Sequence, residues 1–351
     1  VIVAKAIIHI GMDKTGSTFI QDICSHIRPR LAALGICYPV PRDAAAINHI
    51  DFAKAHGFGS RVPTTDAQSV RAWDAMAEAV PDARQSLFLS SENFSHAKSG
   101  ATIGRLQVWL TTHGYDDVRI IVFLRNQVSW LVSAYGQDIK GGGKRSFAEF
   151  YLRRMRRLVY SNLLRAWTSA FGQDNVIAIN YDAAREADRP RGIVDALWSV
   201  IGIAPASRAA LVPHRPIRDN AQSPQVLLEA LRRCPLGQAL LQQGHNFAAG
   251  MLGRSRGVGP QPVQDMRVWP LPPAFLADLP MMQHDNDAVA RAFRLPPLPD
   301  LHAAARNYQA SVVPVPEREV ARCASLVMLG ARTLTRCNAH IAAPPGMSMT
   351  A

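Results

Sequence analysis

The chain has 351 residues, 48% of them hydrophobic and 19% charged, which supplies a large core and excludes a disordered or fibrous chain. Lysine and arginine exceed the acids by a formal +12. That balance favours anionic partners such as a nucleotide, a sulfated or phosphorylated glycan or an acidic membrane surface. Nucleic acid is disfavoured, because the sequence has no aromatic-interleaved basic repeat and no zinc-finger spacing.

Ala6 to Ile10 is an apolar run that ends at Gly11. Met12-Asp13-Lys14-Thr15-Gly16-Ser17-Thr18 follows, then apolar positions at helical spacing: Phe19, Ile20, Ile23, Ile27, Leu31 and Leu34. The order reads as buried strand, anion loop and one helix. Gly11 and Gly16 permit backbone angles that turn loop N–H groups inward, at the positive end of the helix. Lys14 precedes the second glycine, so this is not the G-x-x-x-x-G-K-[ST] nucleotide loop. Taken by itself, the stretch also fits an ordinary turn bearing a lysine.

Residues 35–39 form a short extended piece, 40–66 are loop-like, and 67–79 read as helix. Residues 84–94 form the next strand, with Ser90-Ser91-Glu92 at its polar end. Glu92 sits where a catalytic carboxylate would be useful, or where a helix would be capped. A helix is predicted at 102–113 and an apolar strand at 118–125, closing on Arg125. The helix after it carries Ser133, eight residues on, and 141–145 is a flexible basic loop. Residues 146–171 read as one long helix. Its run Arg153, Arg154, Arg156 and Arg157 is read first as a solvated face. A strand at 176–181 and a helix at 191–201 complete an alternation of strand and helix. It predicts an α/β fold, a three-layer sandwich with a central parallel sheet.

Beyond residue 205 the character changes. Helices are predicted at 223–233 and 317–336, and 237–259 has no clear pattern. Prolines crowd 260–300, and the tail from 342 reads as frayed. The five cysteines (Cys24, Cys37, Cys234, Cys323, Cys337) are scattered and odd in number. That suits reduced thiols and a cytoplasmic protein. No apolar run reaches the length of a membrane span. Lys5 and His9 interrupt the opening segment, unlike a secretion signal.

Lys14-Thr15-Gly16-Ser17-Thr18, taken with Leu124-Arg125-Asn126 and Ser133-Ala134-Tyr135, resembles the sulfotransferases that use 3′-phosphoadenosine 5′-phosphosulfate (PAPS). The resemblance covers about residues 5–200 and implies a P-loop NTPase-like fold. It extends to Tyr160–Trp167 and the strand leading to Tyr181. Residues 1–205 would then be the donor-binding core of a single domain. Residues 206–351 would be a mostly helical, irregular, proline-rich C-terminal elaboration contributing to the acceptor cleft. Asp13 and Gln127 depart from the common pattern, and the late glycine-rich element of the small-molecule branch has no match. The Ser-Ser-Glu strand end is closer to the glycan- and tyrosine-modifying branches, and a soluble bacterial type fits best.

The resemblance also implies roles. Lys14, Thr15, Gly16, Ser17 and Thr18 would hold the 5′-phosphosulfate, and Arg125 with Ser133 the 3′-phosphate. Lys14 would act on the leaving group and Glu92 as base, with His96 in reserve. PAPS is the expected co-substrate, 3′-phosphoadenosine 5′-phosphate (PAP) the expected product, and no metal is expected. The acceptor is expected to be a saccharide or glycolipid hydroxyl, or an amine. Two other readings stay open: a P-loop nucleotide kinase or NTPase, and a non-catalytic protein that binds an anionic glycan.

Overall fold

The computed structural model describes residues 5–39, 47–59, 85–97, 100–188, 191–208, 211, 223–254 and 265–341. The helix expected at 67–79 and the tail from 342 lie outside them. Two compact units interleave along the chain. The first is Val1–Gln127, Arg156–Asn220 and Pro280–Asp300; the second is Val128–Met155, Ala221–Leu279 and Leu301–Ala351.

The first unit is built on five parallel strands: β1 (Lys5–Ile10), β2 (Ile36–Cys37), β3 (Ser86–Ser91), β4 (Asp117–Leu124) and β5 (Val176–Asn180). Their order is β2-β3-β1-β4-β5. The chain therefore passes from β1 to the edge at β2, returns to β3 beside β1, then crosses to β4 and β5 on the other side. That places β1 in the middle and a crevice outside its carboxyl end. Ile8 pairs with Leu89 of β3 and Ile120 of β4 in register, and all three are fully buried. The sheet is covered on both faces, which is why its strands read as continuous apolar runs rather than alternating ones. On one face Ile7, Phe88, Ile121 and Phe123 join a core with α1 (Ser17–His26), α2 (Arg28–Ala33) and a later helix at Gly192–Ile201. The opposite face, with Ile8, Leu89, Ile120 and Val122, lies under helices that include Gly100–Thr112 and Tyr160–Phe171.

Two expected helices are in fact pairs. The helix after the glycine loop breaks at Ile27, where Pro29 lies two residues ahead. Pro29 has no N–H to give to the Ser25 carbonyl four residues back, and its ring crowds that carbonyl, so the first helix cannot run through it. The single helix expected over 146–171 is two, Phe147–Arg154 and Tyr160–Phe171, joined by a 3₁₀ turn at Met155–Leu158 and an extended Val159 (φ −94°, ψ 98°). No glycine or proline marks this break, so the helical spacing concealed it.

In the second unit, residues 238–254, where no pattern was clear, form a helix, Gln238–Arg254. It packs with Gln225–Arg233 and Glu317–Ile341. Buried Glu229 accepts hydrogen bonds from Arg232, Arg233 and Trp269 Nε1. Lys144 Nζ donates to the carbonyls of Leu231 (2.9 Å) and Cys234 (2.7 Å), closing the end of the Gln225–Arg233 helix. Ser146 and Glu149 form a reciprocal capping box at the start of Phe147–Arg154. The proline-crowded stretch contains a 20-residue helix, Pro273–Ala292, with Pro280 inside it. No helix among the described residues is long and apolar enough to cross a membrane.

Candidate active site

The loop after β1 has an uncommon backbone. Lys14 has φ 64°, in the left-handed region, as does Gly16 at φ 78°. A lysine there costs about 1–2 kcal/mol, and such strain concentrates at ligand clamps. The loop is pinned from within. Buried Thr15 donates its hydroxyl to the Met12 carbonyl at 2.6 Å, and Ser17 approaches the same oxygen at 3.4 Å. Thr18 is exposed at the start of α1. Gly11 lets the neighbouring strand end come close: a Cβ there would lie 2.5 Å from Ser17 Oγ and 3.4 Å from Glu92 Cγ.

Glu92 opens the 3₁₀ turn Glu92–His96 after β3, which Ser91 caps by accepting the Asn93 N–H. Burial raises the Glu92 carboxyl to about 7, Asp13 adds to the rise, and Lys14 and Arg157 oppose it. Burial also lowers Lys14 from its usual range, and the charge of Glu92 partly restores it. Asp13 behaves in the opposite way. Burial would raise it, but the His96 hydrogen bond and the Arg157 charge outweigh that and hold it at about 2.

Those partners are specific. Arg157 donates to Asp13 Oδ2 at 2.6 Å and to Ser95 Oγ at 3.2 Å, while His96 Nε2 lies 3.3 Å from Asp13 Oδ1. Asp13 thereby ties the glycine loop to the turn that bears Glu92 and to the break between the two helices. The break is what directs Arg157 toward Asp13, whereas Arg156 beside it is exposed. An ionised carboxylate only accepts, so His96 Nε2 carries the hydrogen of its contact with Asp13.

Arg125 leaves the end of β4 and donates to the Lys14 carbonyl at 2.7 Å. Its guanidinium lies 5.3 Å from the centre of the Tyr181 ring. Tyr160 donates its hydroxyl to the Arg125 carbonyl. The next backbone N–H, of Asn126, goes to Asp182 Oδ2 at 2.6 Å. Arg125 Nε is buried and has no hydrogen-bond partner among the described residues. A buried charged donor without a partner is costly, of order 1–3 kcal/mol, unless an anion takes it.

The first unit therefore gathers Lys14, Thr15, Gly16, Ser17, Glu92, His96 and Arg125 at the carboxyl ends of β1, β3 and β4. Ser133 is half-buried on the helix Gln127–Lys140, in the second unit. Asp13, Arg157 and Tyr160 contact the gathered residues or one another; sequence assigned none of them a role, and Tyr160 entered only as part of the resemblance. Asp13 stood out only as a departure from a pattern, and nothing in the spacing separates Arg157 from three neighbouring arginines. Among the described residues no group of three His, Cys, Asp or Glu side chains is placed to hold a metal ion.

No protein-family model matches the chain, and no curated protein is found to be similar to it. Among solved structures, the chain is similar to a sulfotransferase from Alicyclobacillus acidocaldarius. The identity is 18% over 60% of this chain and 90% of that one, with a TM-score of 0.39.

Proposed function

We propose that this chain moves a sulfuryl group from PAPS to a hydroxyl or amine of an acceptor, with Lys14 at the leaving group and Glu92 as base. The observation that carries the reading is the pairing of two anion-directed features at one sheet edge. One is the strained loop of Lys14. The other is Arg125, which braces that loop through the Lys14 carbonyl and has a buried Nε with no partner among the described residues. A nucleoside with phosphates at both its 5′ and 3′ positions suits such a pair, whereas ATP needs only the first.

The bound donor supplies an activated sulfuryl group. The chain's part is positioning and charge. The N–H groups of Thr15 to Thr18 hold the 5′-phosphate at the positive end of α1. Lys14 opposes negative charge growing on the leaving oxygen. Arg125 takes the 3′-phosphate, and the sequence resemblance adds the Ser133 hydroxyl. Glu92, raised to about 7, is matched to accept a proton near neutral pH. His96 ranks behind it, because its Nε2 already donates toward Asp13. The formal charge of +12 favours an anionic acceptor.

The test is transfer of radiolabelled sulfate from PAPS into an extract of the source organism, with wild type and Glu92→Gln compared. Labelled product with wild type and at least a hundred-fold less with the variant is expected. No labelled product from wild type, or full activity in Glu92→Gln, contradicts the assignment.

A further inference from the structure

A cleft of about 160 Å³ opens in the first unit beside the site. It starts at Met12 of the glycine loop and Ser95 of the Glu92 turn, and runs along the helix Tyr160–Phe171. Ser95 also donates to the Glu92 carbonyl at 2.8 Å, so the cleft shares a wall with the carboxylate's own turn. Ala97, Val159, Leu163, Ala166 and Trp167 join Met12 as its apolar lining, and Asn162 joins Ser95 as its neutral polar lining. Arg156 and Arg157 close the other side. Arg157 is held by Asp13 and Ser95, whereas Arg156 is exposed at the mouth.

We infer that this cleft is the acceptor subsite, and that it takes a hydroxyl carried on a ring-sized apolar group with an acidic substituent. The inference rests on the sulfuryl-transfer reading and narrows its acceptor. Size is the first reason: a cavity of about 150 Å³ holds one benzene-sized ring. Wall chemistry is the second. A saccharide unit presents hydroxyls all round, and those set against Met12, Val159, Leu163, Ala166 and Trp167 are left unpaired at a cost of about 1–3 kcal/mol each. Charge is the third. Arg156 at the mouth offers a guanidinium to a carboxylate or sulfate on the far side of the ring. The acceptor is thus anionic, as the net charge of the chain favours, but it is not recognised as a sugar at its reacting end.

The test titrates 4-hydroxybenzoate, phenol and N-acetylglucosamine into the chain by calorimetry, with and without saturating PAP. The expected order is 4-hydroxybenzoate over phenol, with no heat from N-acetylglucosamine. Arg156→Ala is expected to weaken 4-hydroxybenzoate about three- to five-fold and bring it level with phenol. Ala166→Phe, which fills the cleft, should weaken both ring compounds at least ten-fold while PAP binds as before. N-acetylglucosamine binding as tightly as 4-hydroxybenzoate overturns the inference. So does 4-hydroxybenzoate binding that neither variant changes. Failure of PAP to bind wild type overturns the donor site instead, and the nucleotide-free titrations then decide the cleft separately.

Discussion

At the scale of single residues, the carboxylates Glu92 and Asp13 have environments that push them apart. Glu92 is raised to about 7 by burial, reinforced by Asp13, whereas Asp13 is held at about 2 by His96 and Arg157. Asp13 is therefore ionised at every working pH and acts on Glu92 as a fixed negative charge. If Glu92 is the base, kcat/KM rises with pH through an acid limb near 7. Asp13→Asn removes a charge that raises Glu92 and leaves Arg157 to lower it, so the limb moves down by about half a unit or more. Arg157→Gln removes a charge that lowers Glu92, so the limb moves up. Opposite shifts in the two pH profiles are the expected signature, because simple loss of structure would not give them.

Stability carries the same information without a substrate. The folded carboxyl of Glu92 titrates above its unfolded value near 4.5. Its favourable contribution is complete below pH 4.5 and is lost as pH rises through 7, where the ionised form is confined in the fold. Glu92→Gln has no such loss. Urea unfolding at pH 8 is expected to show the variant more stable by on the order of 2 kcal/mol, with the difference vanishing towards pH 4.5. Equal stability at both pH values would mean that the carboxylate is not confined as described.

Among the elements, what the sequence made legible was whatever obeys a period or a punctuation mark. The strands ending at Ile10, Ser91, Leu124 and Asn180 are apolar runs bounded by polar residues, and the glycine loop is marked at both ends. The break at Val159 was concealed because Met155 to Leu158 continue a helical pattern in composition. Tertiary contacts decide it, through the Arg157 bonds to Asp13 and Ser95 and the Tyr160 bond to the Arg125 carbonyl. The proline-crowded stretch carried no bounded helix prediction, and Pro280 is accommodated within one. One tight approach is open to test. A Cβ on Gly192 would lie 2.0 Å from the Ala184 carbonyl oxygen, between the helices Tyr181–Ala187 and Gly192–Ile201. Backbone has little room to yield, so Gly192→Ala is expected to cost about 2–4 kcal/mol in urea unfolding. Tyr181, beneath Arg125, sits on the first of these helices. PAP affinity is therefore expected to fall with stability in this variant.

For the molecule as a whole, the strand order places β1 centrally, and the site follows from that placement. Glu92 and Arg125 lie 78 and 111 positions after Lys14, yet three adjacent parallel strands deliver all three to one edge. Sequence reading reached these residues through the strand ends that bear them. It did not reach Asp13 or Arg157, whose roles depend on a contact across 144 positions. The excess of 12 positive charges acts at this scale too. PAP is a multiply charged anion, so its affinity should fall about three- to ten-fold between low salt and about 0.5 M salt, mainly through slower association. Stopped-flow binding at several salt concentrations measures it.

The most direct measurement of the central claim is calorimetry of PAP and of adenosine 5′-phosphate against wild type, Lys14→Ala and Arg125→Ala. Wild type is expected to prefer PAP at least ten-fold. Lys14→Ala is expected to lose affinity for both nucleotides, and Arg125→Ala to lose the preference. Equal affinity of wild type for the two nucleotides, or an unchanged preference in Arg125→Ala, would contradict the claim.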